Sequence, residues 1–300
     1  MKFLIRFSLF SLTTLMFLLA SCDSDLTMSL PEEEAPEAIA YSEGDGSGYS
    51  EHIENADEER ITEHVNSLGV NLEEVEEIDF YFPDGSSEKR LLVEGDIVMT
   101  PEEFEGLLSS PDEVTSRQFR AYNLVNSPQI IMVKGYTGGG GYGLTSKMRT
   151  ALTWAVANYN RLGTGLLLNL TFGGTTSSDE IVVYRNPMNT DTGGLAGYPS
   201  SNGAPYKWVQ VWSGMDVFNT NLIEHVITHE IGHCLGLRHT DWFTQSSCGE
   251  YENEGADPEG AVHIPGTPTM DFSSIMLACF PPDTDGEFSY YDRVALRYLY

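Results

Sequence analysis

The sequence predicts an α+β protein in which a small acidic unit precedes a larger, more evenly charged one. Two observations carry this. Residues 23–115 hold 28 Asp and Glu against 3 Lys and Arg, whereas residues 116–300 hold 17 against 11. From Gln129 onward, short apolar runs of strand length (QIIMVKGY, LLLNLTF, EIVVYR, KWVQVW) accompany long stretches of helical period, the first being TSKMRTALTWAVANYNRLG. Hydrophobic residues make up 41% of the chain, enough for a substantial core, and no internal repeat is visible. The net charge of -29 opposes binding to phosphate backbones, so nucleic acid is excluded as a partner.

Residues 1–22 read as a targeting segment. Lys2 and Arg6 flank the apolar run LFSLTTLMFLLA, which ends in Leu19-Ala20-Ser21-Cys22. The run is shorter than the ~20 residues a membrane span needs. LASC resembles the bacterial lipobox, in which the cysteine is lipidated and becomes the first residue; the alternative is an ordinary signal peptide with an incidental cysteine. The expectation is a lipid anchor on Cys22 and a place in the bacterial cell envelope, facing the periplasm or the outside.

Residues 23–54, acidic and rich in Ser, Gly and Pro, read as a flexible tether. Residues 55–128 read as a small α+β unit with a connector. EERITEHVNSLG has helical spacing and a glycine stop. IDFYFPDGSSEKRLLVEGDIV gives two strands about a Pro-Asp-Gly turn. Thr100-Pro101-Glu102-Glu103 starts a helix. Residues 129–300 form the larger domain. Its run GGGGYG lacks the Gly-Lys-Ser/Thr of a phosphate loop and reads as a flexible loop. Near the C-terminus, Ser289 and Asp292 form a capping-box pattern.

The chemistry is concentrated in HEIGHCLGLRH, residues 229–239. A helix is expected over 221–235, with Asn221 and Glu224 as its cap and Leu222, Ile223, Val226 and Ile227 as its apolar face. His229 and His233, four apart, then share one helix face and can hold one metal ion. Glu230 lies beside them. Gly236 ends the helix in the left-handed conformation, and His239 supplies a third nitrogen. Three protein ligands leave an open position, as a catalytic zinc requires. His225 lacks a following Glu and a third ligand in register, so it stays outside the ligand set. His52, His64 and His263 are given no role.

These residues resemble the metzincin metallopeptidases, whose motif HExxHxxGxxH is matched by His229, Glu230, His233, Gly236 and His239. Ser274-Ile275-Met276 resembles their Met-turn, which implies that Met276 underlies the metal. HEIGHCLGLRHTD followed by SIM is most similar to the bacterial HEIGH-type peptidases, and the resemblance covers about residues 129–300. It implies a twisted sheet with a backing helix, an active-site helix, an irregular C-terminal part and a final helix. It also implies one Zn²⁺, a protein or peptide substrate, and Glu230 as general base and acid. The tyrosine that astacins and serralysins place two residues after the Met is Ala278 here, so no such ligand is carried over. The strand Trp208–Trp212 is expected to be the sheet edge that binds substrate. A monomer is expected.

Leu92-Val93-Glu94-Gly95-Asp96 resembles the Phe-x-Gly-Asp of astacin propeptides, whose Asp fills the open zinc position. Asp96 is therefore a candidate latency ligand and residues 55–128 a candidate pro-segment; the alternative is a plain Glu-Gly-Asp turn. An activation cut is expected within 111–134, where Arg117, Arg120 and Lys134 are the basic residues. No cysteine lies between residues 23 and 233, which excludes a cysteine switch from this segment. In an exported chain Cys248 and Cys279 are expected to pair. Cys234 reads as a small buried residue or as the partner of either. The loops at 189–194 and 283–286 are candidate Ca²⁺ sites. A metal-containing binding lipoprotein and a narrow zinc amidase are the alternatives to an endopeptidase.

Overall fold

The computed structural model describes residues 75–93, 95–107, 119–178, 180–249 and 261–300. Cys22, the tether, the helix expected over 58–69 and Arg117 lie outside them. Among the described residues no helix is long and apolar enough to cross a membrane.

The larger domain is built on a five-stranded sheet. In chain order its strands are β5 (Gln129–Tyr136), β6 (Leu166–Gly173), β7 (Glu180–Asn186), β8 (Gly194–Leu195) and β9 (Trp208–Trp212), and their order in space is β6-β5-β7-β9-β8. The first three and β9 run parallel; β8 runs antiparallel to β9. Parallel neighbours need a crossover. Helix α2 (Ser146–Arg161) supplies it between β5 and β6, capped by Thr145, whose side chain accepts from Met148 N. Its Met148, Leu152, Ala155, Val156 and Tyr159 are buried, the face expected from their spacing.

Helix α3 (Thr220–Leu235) packs against α2, and every residue from Leu222 to Leu235 is buried. A helix covered on all sides forces its polar residues to find partners inside. The helix begins earlier than expected. Its cap is Asn219, whose Oδ1 accepts from Leu222 N at 2.9 Å. Asn221 lies inside the first turn and Glu224 is turned inward, so the two do not cap. The final helix α4 (Tyr290–Leu299) closes the core, and its Ser289–Asp292 capping box is complete.

A second sheet, β1 (Glu76–Tyr81), β2 (Ser87–Val93) and β3 (Ile97–Met99), is antiparallel throughout. The Pro-Asp-Gly turn joins β1 to β2, with Gly85 at φ 86°. A third strand follows a turn at Gly95, φ 81°. Helix α1 (Pro101–Leu107) starts at a reciprocal cap: Thr100 N donates to Glu103 Oε2, and Glu103 N donates to Thr100 Oγ1. This sheet has its buried residues in common with the larger domain. Phe80 and Val98 are buried with Leu195, against Tyr206, Trp208 and Trp212. Strand β4 (Phe119–Arg120) pairs with β10 (Val262–His263).

One expectation is corrected here. Strand β9 is interior: β7 pairs along its length, and on the other side β8 and Gly193 already pair with Gln210–Trp212. The edge beside α3 is the two-residue strand β8.

Candidate metal centre

His229 and His233 project from successive turns of α3, with ring centroids 4.6 Å apart. Gly236 ends the helix at φ 105°, and a Cβ there would also meet Asn123 O at 2.7 Å. Glycine is thus required both by conformation and by space. The returning chain is held by β4: Ala121 N donates to Gly236 O and Arg238 N donates to Phe119 O. That pairing brings His239 Nε2 to 3.2 Å from His229 Nε2, while His233 Nε2 lies at 2.9 Å. The far nitrogens are tied off. His229 Nδ1 contacts Ile275 O at 2.8 Å and His233 Nδ1 contacts Leu237 O at 2.8 Å. A carbonyl only accepts, so these Nδ1 atoms carry the protons and the Nε2 lone pairs converge.

Asp96, from the turn between β2 and β3, reaches into the same cluster. Its Oδ2 is 3.0 Å from His239 Nε2, 3.2 Å from His229 Nε2 and 3.8 Å from His233 Nε2. The turn at Gly95 thus also brings one carboxylate to the three imidazoles. Burial pushes the Asp96 carboxyl up, but the neighbouring imidazoles, His239 first, outweigh it and hold it well below the usual range. Glu230 is buried next to this cluster. Its Oε2 has no hydrogen-bond partner among the described residues. Burial, then the Asp96 charge, push the Glu230 carboxyl well above its ordinary value. Both groups open on a cleft of about 630 Å³, lined by Gly193, Gly194, Trp212, Val226, Ala278 and Phe280 among others.

A helical His-Glu-x-x-His, a third histidine in register and convergent imidazoles form the centre of a metallopeptidase, and the sequence profile of the dual-action HEIGH metallo-peptidases matches residues 91–300. The chain belongs to this family. Among solved structures it is similar to two of myroilysin, with TM-scores of 0.39 and 0.37, both at 14% identity. They cover 59% and 67% of this chain and 82% and 99% of theirs. Metalloproteinase-II from Bacteroides fragilis is similar at a TM-score of 0.34 and 12% identity, covering 70% of this chain and 75% of that one. No curated protein matches the sequence.

As a HEIGH peptidase the chain is a zinc metallopeptidase, and its donor set fits the ion. Tetrahedral Zn–N bonds of about 2.0–2.1 Å put ligand nitrogens roughly 3.3 Å apart. The three Nε2 atoms, and Asp96 Oδ2 with them, lie close to that spacing. Lone pairs at such distances repel unless a cation lies between them. Among the described residues this is the one group of three or more His, Cys, Asp or Glu side chains able to share a metal. In the two acidic loops, Asp191 N donates to Asn189 Oδ1 and Glu287 N donates to Asp285 Oδ1, as in polar turns.

Several residues around the HEIGH motif escaped the sequence reading. Gly232, the glycine of the motif, leaves room for Met276: a Cβ there would lie 2.5 Å from Met276 Sδ. Met276 is thereby packed against the helix turn that carries His229 and His233. Gly194 does the same for Glu230, since a Cβ would lie 2.9 Å from Glu230 Oε1 and 2.6 Å from Gln210 O. Asp292 has a second role beyond its cap. Its carboxylate accepts from Ser274 Oγ and from Ile275 N, the peptide whose carbonyl holds His229. Asp241, fully buried, accepts from Ser247 N and Ala278 N and joins two segments of the cleft wall. Cys248 and Cys279, bonded to each other, join the same segments. Cys234 is a buried free thiol, and burial raises its pKa well above the ordinary value. His225 is buried outside the ligand set: Nδ1 contacts Asp285 O, the ring lies on Phe280, and burial lowers its pKa to about 4.

Proposed function

We propose that this HEIGH peptidase is an exported, lipid-anchored endopeptidase made as a latent zymogen. In this reading His229, His233 and His239 hold the catalytic zinc, Glu230 is the general base and acid, and Asp96 closes the fourth position. The observation that carries it is the approach of Asp96 Oδ2 to all three Nε2 atoms, from a turn on a separate sheet. The family match supports it too, because it begins at Leu91 and so takes in Asp96.

When bound, zinc supplies the Lewis acid that polarises a scissile carbonyl and lowers the pKa of an attacking water. The imidazoles hold their orientation through the carbonyls of Ile275 and Leu237. Glu230 Oε2, buried and free of protein partners among the described residues, takes the proton of the attacking water and passes it to the leaving amine. Buried surroundings raise its basicity, which suits a group that must accept a proton near neutral pH. Asp96 must leave before substrate can enter. Within the expected 111–134, the freeing cut belongs before Phe119. Arg120 and Lys134 lie in strands β4 and β5, where the backbone is paired, and Lys134 is held by Glu180 at 3.4 Å. The N-terminal signal and Cys22 supply the anchor.

The test compares wild type, Asp96→Ala and Glu230→Gln for zinc content, intact mass and casein hydrolysis. Asp96→Ala is expected to raise basal hydrolysis about 10–100-fold, the effect of shifting one blocked-to-open equilibrium. Glu230→Gln is expected to keep zinc and lose about 10²–10⁴-fold in rate. Equal activity of zinc-loaded wild type and Asp96→Ala would refute latency. If both stay inert after limited trypsin at Arg117, the endopeptidase reading fails.

A further inference from the structure

Strand β3 does more than deliver Asp96. Val98 N donates to Ala196 O at 2.7 Å, and Ala196 N donates to Asp96 O at 3.0 Å. Ile97 therefore faces Ala196 across a parallel bridge that extends the β8 edge. Residue alternation sorts the side chains onto two faces. Val98 goes with Leu195 towards Tyr206, Trp208 and Trp212. Ile97 goes with Val93 and Met99 towards Ala121 and Tyr198, where it is 1% exposed. Two members of this buried cluster, Ala121 and Tyr198, are fixed to the metal centre. Tyr198 stands edge-on to His233 with centroids 5.7 Å apart, and Ala121 N is bonded to Gly236 O.

We propose that the recess formed by Ala121 and Tyr198 is a substrate side-chain subsite selecting medium-sized aliphatic residues, Ile and Val above all, and that Ile97 occupies it in the latent chain. The inference rests on the reading of this chain as a latent endopeptidase and names the substrate class it takes. Ala196 presents one N–H and one C=O at the edge. A peptide bound there must satisfy both. In a parallel pairing the two bonds go to the neighbours of the facing residue; in an antiparallel pairing the facing residue makes both. In either direction the facing side chain lies on the same side of the sheet as that of Ala196. It therefore takes the place of Ile97. Asp96, one residue earlier, is at the three imidazoles, so the selected residue lies within about two positions of the scissile bond, given the ~3.3 Å rise per strand residue. A charged side chain there would be stripped of water, and a larger aromatic ring would collide with Tyr198.

Two measurements on the full chain decide it. The first uses metal-free protein and needs no turnover. Amide hydrogen exchange at Ala196 and Val98 is compared for wild type, Ile97→Val, Ile97→Leu and Ile97→Asp. The aliphatic variants are expected to stay protected, while Ile97→Asp exchanges at least about tenfold faster. Unchanged protection in Ile97→Asp would overturn the subsite whatever the enzyme does. The second uses zinc-loaded Asp96→Ala/Ile97→Asp on a mixed decapeptide pool read by mass spectrometry. Cut peptides are expected to be enriched about tenfold or more in Ile and Val at one fixed position, the discrimination a shaped apolar pocket gives. Adding Tyr198→Ala should admit Phe at that position. Cleavage without an aliphatic preference at any position overturns the proposal. A zinc-loaded protein that cuts nothing counts against the endopeptidase reading instead, and the exchange arm still judges the subsite.

Discussion

Glu224 shows what the interior of α3 demands of single residues. Asn158 Nδ2 donates to its Oε1 at 2.9 Å and to Gly286 O at 2.8 Å, so one amide clamps the 281–289 loop to two helices. Gly286 is needed for that contact, since a Cβ there would lie 2.2 Å from Glu224 Cγ. Burial, then the charge of Glu287 and also that of Asp285, outweigh Asn158 and Arg161 and raise the Glu224 pKa to about 7. The folded protein thus binds this proton more tightly than the unfolded chain, whose ordinary value is 4.5. The sign follows: this contribution is present below pH 4.5 and is lost as pH rises through about 7. Urea midpoints should fall over that interval in wild type, and Glu224→Gln should flatten the slope. A wild-type slope unchanged by the substitution would refute the assignment. None of this was readable in the sequence, because Asn158 lies 66 positions from Glu224. The three histidines and Glu230 were readable, because metal chemistry restricts both the residue types and their spacing.

At the level of elements, what the sequence signalled depended on length. Strands of five residues or more and the long helices carried enough apolar pattern to be placed. Strand β8, Gly194–Leu195, is two residues long and has no period at all. That is why the edge was assigned to its neighbour β9, whose aromatic run is the stronger signal. The start of α3 was missed for a related reason: Asn219 and Asn221 are both good caps, and only the loop before the helix selects between them. The short strand nonetheless packs on the Glu230 carboxylate, the proposed general base. Gly194→Ala would press a methyl group against Glu230 Oε1 and Gln210 O. Displacing a reacting group by about 1 Å costs on the order of 10²-fold in rate. On the proposed role of Glu230, the expected outcome is a loss of that size in kcat/KM, with zinc content unchanged. An equal loss of zinc would mean instead that the substitution had damaged the ligand set.

Across the whole molecule, the small β1–β2–β3 sheet and the catalytic sheet share one interior. Phe80 is fully buried, with the Arg90 guanidinium 4.2 Å from its ring centroid, and Arg90 also reaches the Tyr206 hydroxyl. Tyr184 OH and Gln210 Nε2 both donate to Tyr81 O. Phe80→Ala should cost about 3–5 kcal/mol of the small sheet's attachment. On the proposed latency, it should therefore raise basal casein hydrolysis without any cut. A variant that melts earlier yet stays silent would show that the sheet does not restrain the enzyme. The charge split and the Pro-Asp-Gly turn led to the expectation of a separate acidic unit. They did not announce how deeply it is embedded, because an apolar residue in a strand does not say whose core it joins.

That shared interior has a consequence for timing. On the proposed reading, a chain severed within 111–118 becomes two polypeptides but remains one particle: two bands after boiling in detergent, one peak on a sizing column. Hydrolysis would then begin after a lag set by how fast the small sheet peels away. Dilution would leave that lag unchanged, because the peeling is unimolecular, while mild urea would shorten it. A bystander protease that digests the detached sheet would make the awakening irreversible.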